Sequence, residues 1–366
     1  MKKIVLMLNC LDKIGGTERA TVDLANILAQ DPKYEVTILS IYKNIKNEST
    51  KYSLNSNIKV EYVFERIEYL KFHLNFYRFF EIFIKNKIGK ILDKLDPHFV
   101  LYTQIKFINP NNSKYKKLLM VHTSYEAYIK GKLTFYKFKK YHSYIDSIVF
   151  LSQDDLNKYV NDFKRDNGCF IYNSCSLSIK QRTNHNNKKI LFLGRLDNKT
   201  KQIDHAIKAF SNIVKEKKVH DWEFHIYGSG KDEEMLKELV ANQKMNEKIL
   251  FKGVSDDLNT LFTKYDILVL TSDYEGLPMS LIEGASSGLA LISYDSSPGI
   301  REIIEHEKSG YIVAKNDLKK FELLLYDLMQ DKSKRIEMGK RGLEIMKDKF
   351  HISVIKKKWD SLFNSL

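Results

Sequence analysis

The chain has 366 residues, 43% hydrophobic and 12% aromatic, with 60 Lys and Arg against 46 Asp and Glu for a formal net charge of +14. That length is about twice a usual domain, so two domains with separate cores are expected, and the composition excludes wholesale disorder. No apolar run reaches the roughly 18 to 20 residues of a membrane span, and Cys10, Cys169 and Cys175 have neither metal-ligand spacing nor the even count of a disulfide framework, so they read as reduced thiols.

The first residues, MKKIVLMLNC, pair two lysines with an apolar run, but Asn9, Asp12 and Lys13 interrupt it too early for a secretory signal. A first β-strand over Ile4 to Leu8 is the better reading. The segment GGTER, Gly15 to Arg19, then opens a helix capped by Gly16 or Thr17. Paired glycines Gly15 and Gly16 let a ligand approach the backbone, although ordinary turns use them too. Further strands are expected at Val36 to Ile41, Val60 to Phe64, Phe99 to Tyr102, Leu118 to Val121, Ile148 to Leu151 and Cys169 to Tyr172. Continuous Val/Ile/Leu runs separated by helical patterns predict a parallel sheet covered on both faces.

The basic excess is concentrated. Residues 66–144 hold 16 basic and 5 acidic side chains. Within them, Arg66 to Leu95 and Tyr128 to Tyr144 interleave aromatic, aliphatic and basic residues at near-helical intervals. Such segments suit an anionic membrane surface; the plain alternative makes Phe72, Phe76, Phe79 and Phe83 the buried stripe of an ordinary helix, and membrane contact is the favoured reading.

Ser174 to Lys189 is polar and aperiodic, as a linker would be. Strands then resume at Ile190 to Leu193, Glu223 to Tyr227, Ile249 to Lys252, Ile267 to Leu270, Leu289 to Ser293 and Tyr311 to Val313, and a last helix from Ile352 to Phe363 carries Trp359 and Phe363. The expected fold is α/β: two facing Rossmann-like, doubly wound domains with an interdomain cleft, residues 1–177 completed by 350–366, and residues 185–349. Ligands of such sheets bind outside the carboxyl ends of the strands.

Two words in the second series carry chemistry. GRLDNKTK, Gly194 to Lys201, places Arg195 and Lys201 beyond a strand, where two cations can meet a diphosphate. SDYEGLPMSLIEG, Ser272 to Gly284, sets Glu275 at the mouth of a strand, Pro278 near a helix start, and Glu283 eight residues after Glu275 among small and apolar neighbours. Amides near Gly276, Leu277, Met279 and Ser280 are free to receive an anion or a hydroxyl.

These words resemble glycosyltransferase family 4, whose members carry E-x7-E after a strand of the C-terminal domain and a GRL-x4-K word before it. The resemblance implies a GT-B fold and a retaining hexosyltransferase. It also implies that Glu275 and nearby amides hold the donor sugar, Glu283 the ribose, and Arg195 and Lys201 the diphosphate. Gly228 of YGSG resembles the family's glycine turn, Gly253 and Val254 the place where backbone meets the base, and GGTER the loop facing donor and acceptor. His122 stands where the family commonly has a His near the donor sugar; a lone His is as readily structural. Lys201 is followed by Gln202, and Pro298-Gly299-Ile300 shifts the R-E-I-I word that follows, which leaves the role of Arg301 open.

No D-x-D occurs, so no metal site is expected beneath the diphosphate and its charge falls to Arg195, Lys201 and helix N-termini. No carboxylate nucleophile can be assigned, which favours a front-face route for retention. A nucleotide sugar, uridine-linked by the weight of the resemblance, is a substrate, and no cofactor is expected. The favoured acceptor is a polyprenyl-diphosphate oligosaccharide in polysaccharide, capsule or lipopolysaccharide assembly, at the inner face of a bacterial cell membrane. The rivals are a teichoic-acid (polyol-phosphate) glycosyltransferase, a nucleotide-sugar epimerase and a non-catalytic partner subunit. No nucleic-acid motif accompanies the basic charge.

Overall fold

A computed structural model of the chain describes residues 1–13, 15–43, 52–64, 77–110, 112–175, 183–255 and 257–366, without the side chains of 77–80 and 259. It divides into two compact units, Met1–Ser174 with Ile352–Leu366, and Cys175–His351.

The first unit is built on seven strands: β1 (Lys2–Cys10), β2 (Tyr34–Tyr42), β3 (Lys59–Phe64), β4 (Phe99–Tyr102), β5 (Lys116–Met120), β6 (Ser147–Phe150) and β7 (Gly168–Phe170). They run parallel in the order β3-β2-β1-β4-β5-β6-β7. Helices α1 (Gly16–Ala29), α2 (Tyr77–Leu95), α3 (Tyr125–Lys130), α4 (Lys132–Tyr141) and α5 (Gln153–Phe163) join them. Ile4 to Leu8 of β1 are all buried, because helices cover both faces of the sheet and leave no side for a polar residue. The cap of α1 is Gly15, in extended conformation with its carbonyl accepting from the Arg19 amide at 2.9 Å, rather than the expected Gly16 or Thr17.

The second unit repeats the plan with β8 (Lys189–Leu193), β9 (Glu223–Tyr227), β10 (Ile249–Gly253), β11 (Ile267–Leu270), β12 (Ala290–Tyr294) and β13 (Gly310–Val313). Its order is β10-β9-β8-β11-β12-β13. Its helices are α6 (Asn198–Lys201), α7 (Ile203–Lys217), α8 (Glu233–Asn242), α9 (Leu258–Leu261), α10 (Met279–Ser286), α11 (Pro298–Ile303), α12 (Leu318–Gln330) and α13 (Lys332–Ile345). Phe192, Phe210, Phe224 and Phe321 centre the core of this unit. Both sheets are doubly wound and Rossmann-like. In each, the strand order reverses beside the first strand, between β1 and β4 and between β8 and β11, and the loops leaving such a pair open the crevice where these sheets take ligands.

The closing helix α14 (Ile352–Ser365) packs in the first unit. Its Phe363 is 1% exposed, with ring centroids 4.7 Å from Phe99, 5.7 Å from Tyr34 and 5.5 Å from Trp359. Asp360 adds an acceptor for Tyr34 Oη at 2.7 Å.

Of the aromatic-basic segment 66–95, residues 66–76, with Phe72 and Phe76, lie outside the described residues, as does the Phe79 side chain. In α2 the buried stripe is Ile84, Ile88 and Leu92, while Phe83 is 56% exposed.

Truncating Phe363 to Ala removes three ring contacts from a closed site. We expect a loss of about 3 to 5 kcal/mol in the unfolding of the first unit, read by urea titration. A change below about 1 kcal/mol would contradict the packing of α14 described here.

Candidate functional site

The two chemistry-bearing words lie far apart in sequence but leave neighbouring strands. Ile267 and Leu268 of β11 register with Ile190 and Leu191 of β8, so the loop from Gly194 and the loop from Thr271 emerge side by side. Hydrogen bonds lock them together. Thr271 Oγ1 donates to the carbonyls of Lys201 at 3.1 Å and Gln202 at 2.8 Å, and the Asp273 amide donates to the Thr200 carbonyl at 2.8 Å. Gln202, in the left-handed region at φ 44°, ends the single turn of α6 and starts α7.

This lacing brings Lys201 onto Glu275. Lys201 Nζ donates to Glu275 Oε1 at 2.5 Å, and Ser272 Oγ donates to the same oxygen at 2.7 Å. The side chains are 18% and 12% exposed. At that burial an unpaired charge would be costly, so each partner holds the other in place. Arg195 stands six residues earlier, 65% exposed, with Nη2 3.7 Å from Asp197 Oδ2. It is free to swing to an incoming anion; Lys201 is already held at the carboxyl edge of the sheet.

The Arg195 loop is shaped by its neighbour after β9. The Gly194 amide bonds the Tyr227 carbonyl at 3.0 Å and the Leu196 amide bonds the Ser229 carbonyl at 3.0 Å. Gly228 sits at φ +137°, and a Cβ there would lie 1.8 Å from the Gly194 carbonyl oxygen. Only glycine permits that approach. Gly253, at φ +66° at the end of β10, receives the Gly228 amide on its carbonyl at 2.7 Å, and Val254 beside it is 38% exposed.

Beyond Glu275 the chain turns through Gly276, Leu277 and Pro278, which caps α10 in extended conformation without a side-chain cap. The amides of Met279 and Ser280 begin this helix and have no intrahelical acceptor. Gly276 is fixed from α11: Ser297 Oγ donates to its carbonyl at 2.8 Å, and a Cβ on Gly299 would fall 2.1 Å from the same oxygen. Glu283, on α10, is 3% exposed, so it is a buried carboxylate and not a solvated helix-face residue. Arg301 pairs with Asp295 through two hydrogen bonds, of 3.1 Å and 2.5 Å.

Three expected site residues lie in the first unit. Gly15 and Gly16 start α1, and the Gly15 amide and carbonyl both bond Tyr52 Oη, at 3.0 and 3.2 Å. His122 follows β5; its Nε2 is buried with no hydrogen-bond partner among the described residues, and it borders a cavity of about 20 Å³ with Leu151, Ser174 and Trp359. Burial alone holds the His122 imidazole down at about 4, so it is neutral near pH 7.

Sequence reasoning missed three supports: Ser272 on Glu275, Ser297 with Gly299 on Gly276, and Tyr52 on Gly15. Ser272 had a local signal, a hydroxyl three residues before the carboxylate in a turn. The other two depend on tertiary proximity and have none. Among the described residues, no three His, Cys, Asp or Glu side chains form a metal-binding group.

Residues 176–344 match the model of the family Glycosyl transferases group 1. The chain is 26% identical over 367 residues to an uncharacterized glycosyltransferase of Haemophilus influenzae, covering 99% of the chain and 100% of that protein. It is 27% identical over 370 residues to the GalNAc-alpha-(1->4)-GalNAc-alpha-(1->3)-diNAcBac-PP-undecaprenol alpha-1,4-N-acetyl-D-galactosaminyltransferase of Campylobacter jejuni, covering 98% and 97%. Among solved structures, S. aureus TarM in complex with fondaparinux, alpha-GlcNAc-glycerol and UDP matches at TM-score 0.85 with 16% identity, over 100% of both chains. The fold is therefore GT-B and the protein is a glycosyltransferase enzyme.

Two buried imidazoles set an acid limit. His122 in the first unit and His185 in the second are both held at about 4 by burial, against an ordinary 6.5. The unfolded chain therefore takes up these protons first as pH falls. The stability they contribute is complete above about pH 6.5 and is lost as pH drops from there through 4. Urea midpoints should fall across that window, and His122→Asn and His185→Asn should each flatten the fall. A midpoint constant from pH 6.5 to 4 would contradict the burial of both rings.

Proposed function

We propose that this enzyme transfers a hexose or N-acetylhexosamine from a uridine-linked nucleotide sugar to a glycan carried on a polyprenyl diphosphate, with retention of anomeric configuration as in family 4. The observation that carries the reading is the Lys201–Glu275 contact at the β8/β11 switch, a preassembled cation and carboxylate where a sugar diphosphate would lie. On binding, the diphosphate takes Lys201 and Arg195, and sugar hydroxyls take the Glu275 carboxylate. Glu283 receives the ribose hydroxyls, the Gly253–Val254 backbone the base, and the first amides of α10 with Gly276 and Leu277 the remaining oxygens of diphosphate and sugar. Gly194 and Gly228 hold the loop that carries Arg195. In the first unit, Gly15 and Gly16 offer backbone to a ligand at the start of α1, and His122 is neutral near pH 7.

The bond from the anomeric carbon to the diphosphate oxygen breaks as the acceptor oxygen bonds that carbon on the same face. The acceptor proton passes to the departing phosphate oxygen. Fixed charges and amides stabilise the diphosphate as its charge grows, and they need no reorganisation at that moment. A lipid-linked acceptor is supported by the Campylobacter relative, whose name specifies an undecaprenyl-diphosphate glycan and which matches over 97% of its length. The work of the enzyme would then lie at the inner face of the cell membrane.

Lys201→Ala should lower kcat about 100-fold or more, the cost of one preorganised oxyanion donor, with the far-UV spectrum unchanged. Glu275→Gln, which keeps a hydrogen-bonding oxygen for Ser272, should raise KM for the nucleotide sugar more than Kd for the free nucleoside diphosphate. Transfer measured with a lipid-diphosphate glycan and with a polyol-phosphate polymer reads the acceptor. Normal turnover by Lys201→Ala would overturn the site assignment, and transfer to the polymer alone would overturn the acceptor.

A further inference from the structure

In α2, the buried Ile84, Ile88 and Leu92 fix which way the helix faces. At about 100° per residue, Ile82 points about 120° away from the middle of that stripe, and it is 54% exposed. In α4 the fully buried Phe138 plays the anchoring part, and Leu133 and Tyr136, roughly opposite, are 70% and 65% exposed. The two helices are clasped side by side. Glu81 of α2 accepts Lys137 of α4 at 2.7 Å and lies 3.3 Å from Lys85, whose Nζ is 5.0 Å from the Tyr141 ring centroid. The two helices so joined each carry exposed apolar side chains, Ile82 on α2 and Leu133 and Tyr136 on α4.

The surrounding charge is one-sided. Glu81 is occupied by two lysines and Glu126 pairs with Lys130 at 2.8 Å. Lys87 and Lys90 of α2 and Lys132, Lys139 and Lys140 of α4 are exposed and have no ion pair among the described residues. A soluble polyanion would use these cations and would gain nothing from exposed Leu133 and Ile82. An anionic bilayer uses both: ammonium groups at lipid phosphates, the tyrosine ring at headgroup level, aliphatic side chains at the acyl boundary. We infer that the outward face of α2 and α4 docks on an anionic phospholipid bilayer, an inference that rests on the lipid-linked acceptor proposed above and narrows the aromatic-basic segments to one two-helix surface.

The full-length protein is sedimented with phosphatidylglycerol vesicles, with phosphatidylcholine vesicles, and mixed with soluble polyglycerol phosphate. Transfer to a short-chain, water-soluble lipid-diphosphate glycan is followed in parallel. Binding to phosphatidylglycerol alone is expected, and it should weaken with salt. Each lysine near an anionic leaflet contributes about fivefold, so the triple change Lys132→Gln, Lys139→Gln and Lys140→Gln should weaken partitioning about 100-fold. The pair Leu133→Ser and Tyr136→Ser should also release the protein, with every charge kept. In both variants the exposed changes should leave melting temperature and transfer to the water-soluble acceptor at wild-type values. Absence of vesicle binding, or vesicle binding indifferent to the Leu133 and Tyr136 changes, would overturn the docking surface, as would equal affinity for polyglycerol phosphate. Failure of transfer to the lipid-diphosphate glycan, with vesicle binding intact, would instead overturn the acceptor reading and leave the surface standing.

Discussion

The second unit is organised around one half-buried ion pair, Lys201 with Glu275, joined by Ser272. A buried pair is weak as a source of stability, because desolvation of both charges offsets most of the attraction. What it specifies is position. The cation leaves β8 through one turn of helix and the carboxylate leaves β11 through a tight loop, and the two meet because β8 and β11 are adjacent across the strand-order reversal. In the proposed site each partner holds the place of a ligand group: the carboxylate that of a phosphate at Lys201, the ammonium that of a sugar hydroxyl at Glu275.

Around this pair the backbone is packed more tightly than ordinary side chains permit. The loop carrying Arg195 lies against Gly228, and the turn after Glu275 lies against Gly299. Arg195 on that loop is exposed, while Lys201 is held against Glu275. The first unit contributes different properties: a glycine-capped helix held by Tyr52, a neutral imidazole, and a basic two-helix face.

Much of this was legible in sequence, for a physical reason. Strands covered on both faces need continuous apolar runs, so the thirteen strands among the described residues announced themselves, and Phe99–Tyr102, Glu223–Tyr227 and Ile267–Leu270 kept their expected bounds to the residue. The words around Arg195, Lys201, Glu275 and Glu283 were legible because loop chemistry is local. Their contact was not, since it requires the strand order. In α2 Phe83, one ring of the alternative buried stripe, is exposed, and the branched residues Ile84 and Ile88 are buried instead. The cap of α1 lies at Gly15, one residue before the nearer expected position, with its carbonyl accepting from the Arg19 amide. Tyr52 was invisible, since nothing in its neighbourhood of the sequence points to Gly15.

The most direct measurement is a structure of the protein with a bound nucleoside diphosphate, compared at Lys201 and Glu275. The account predicts the diphosphate over the β8/β11 edge, with Lys201 Nζ hydrogen-bonded to a phosphate oxygen and no longer at 2.5 Å from Glu275. A nucleotide bound elsewhere, with the Lys201–Glu275 pair intact, would contradict it.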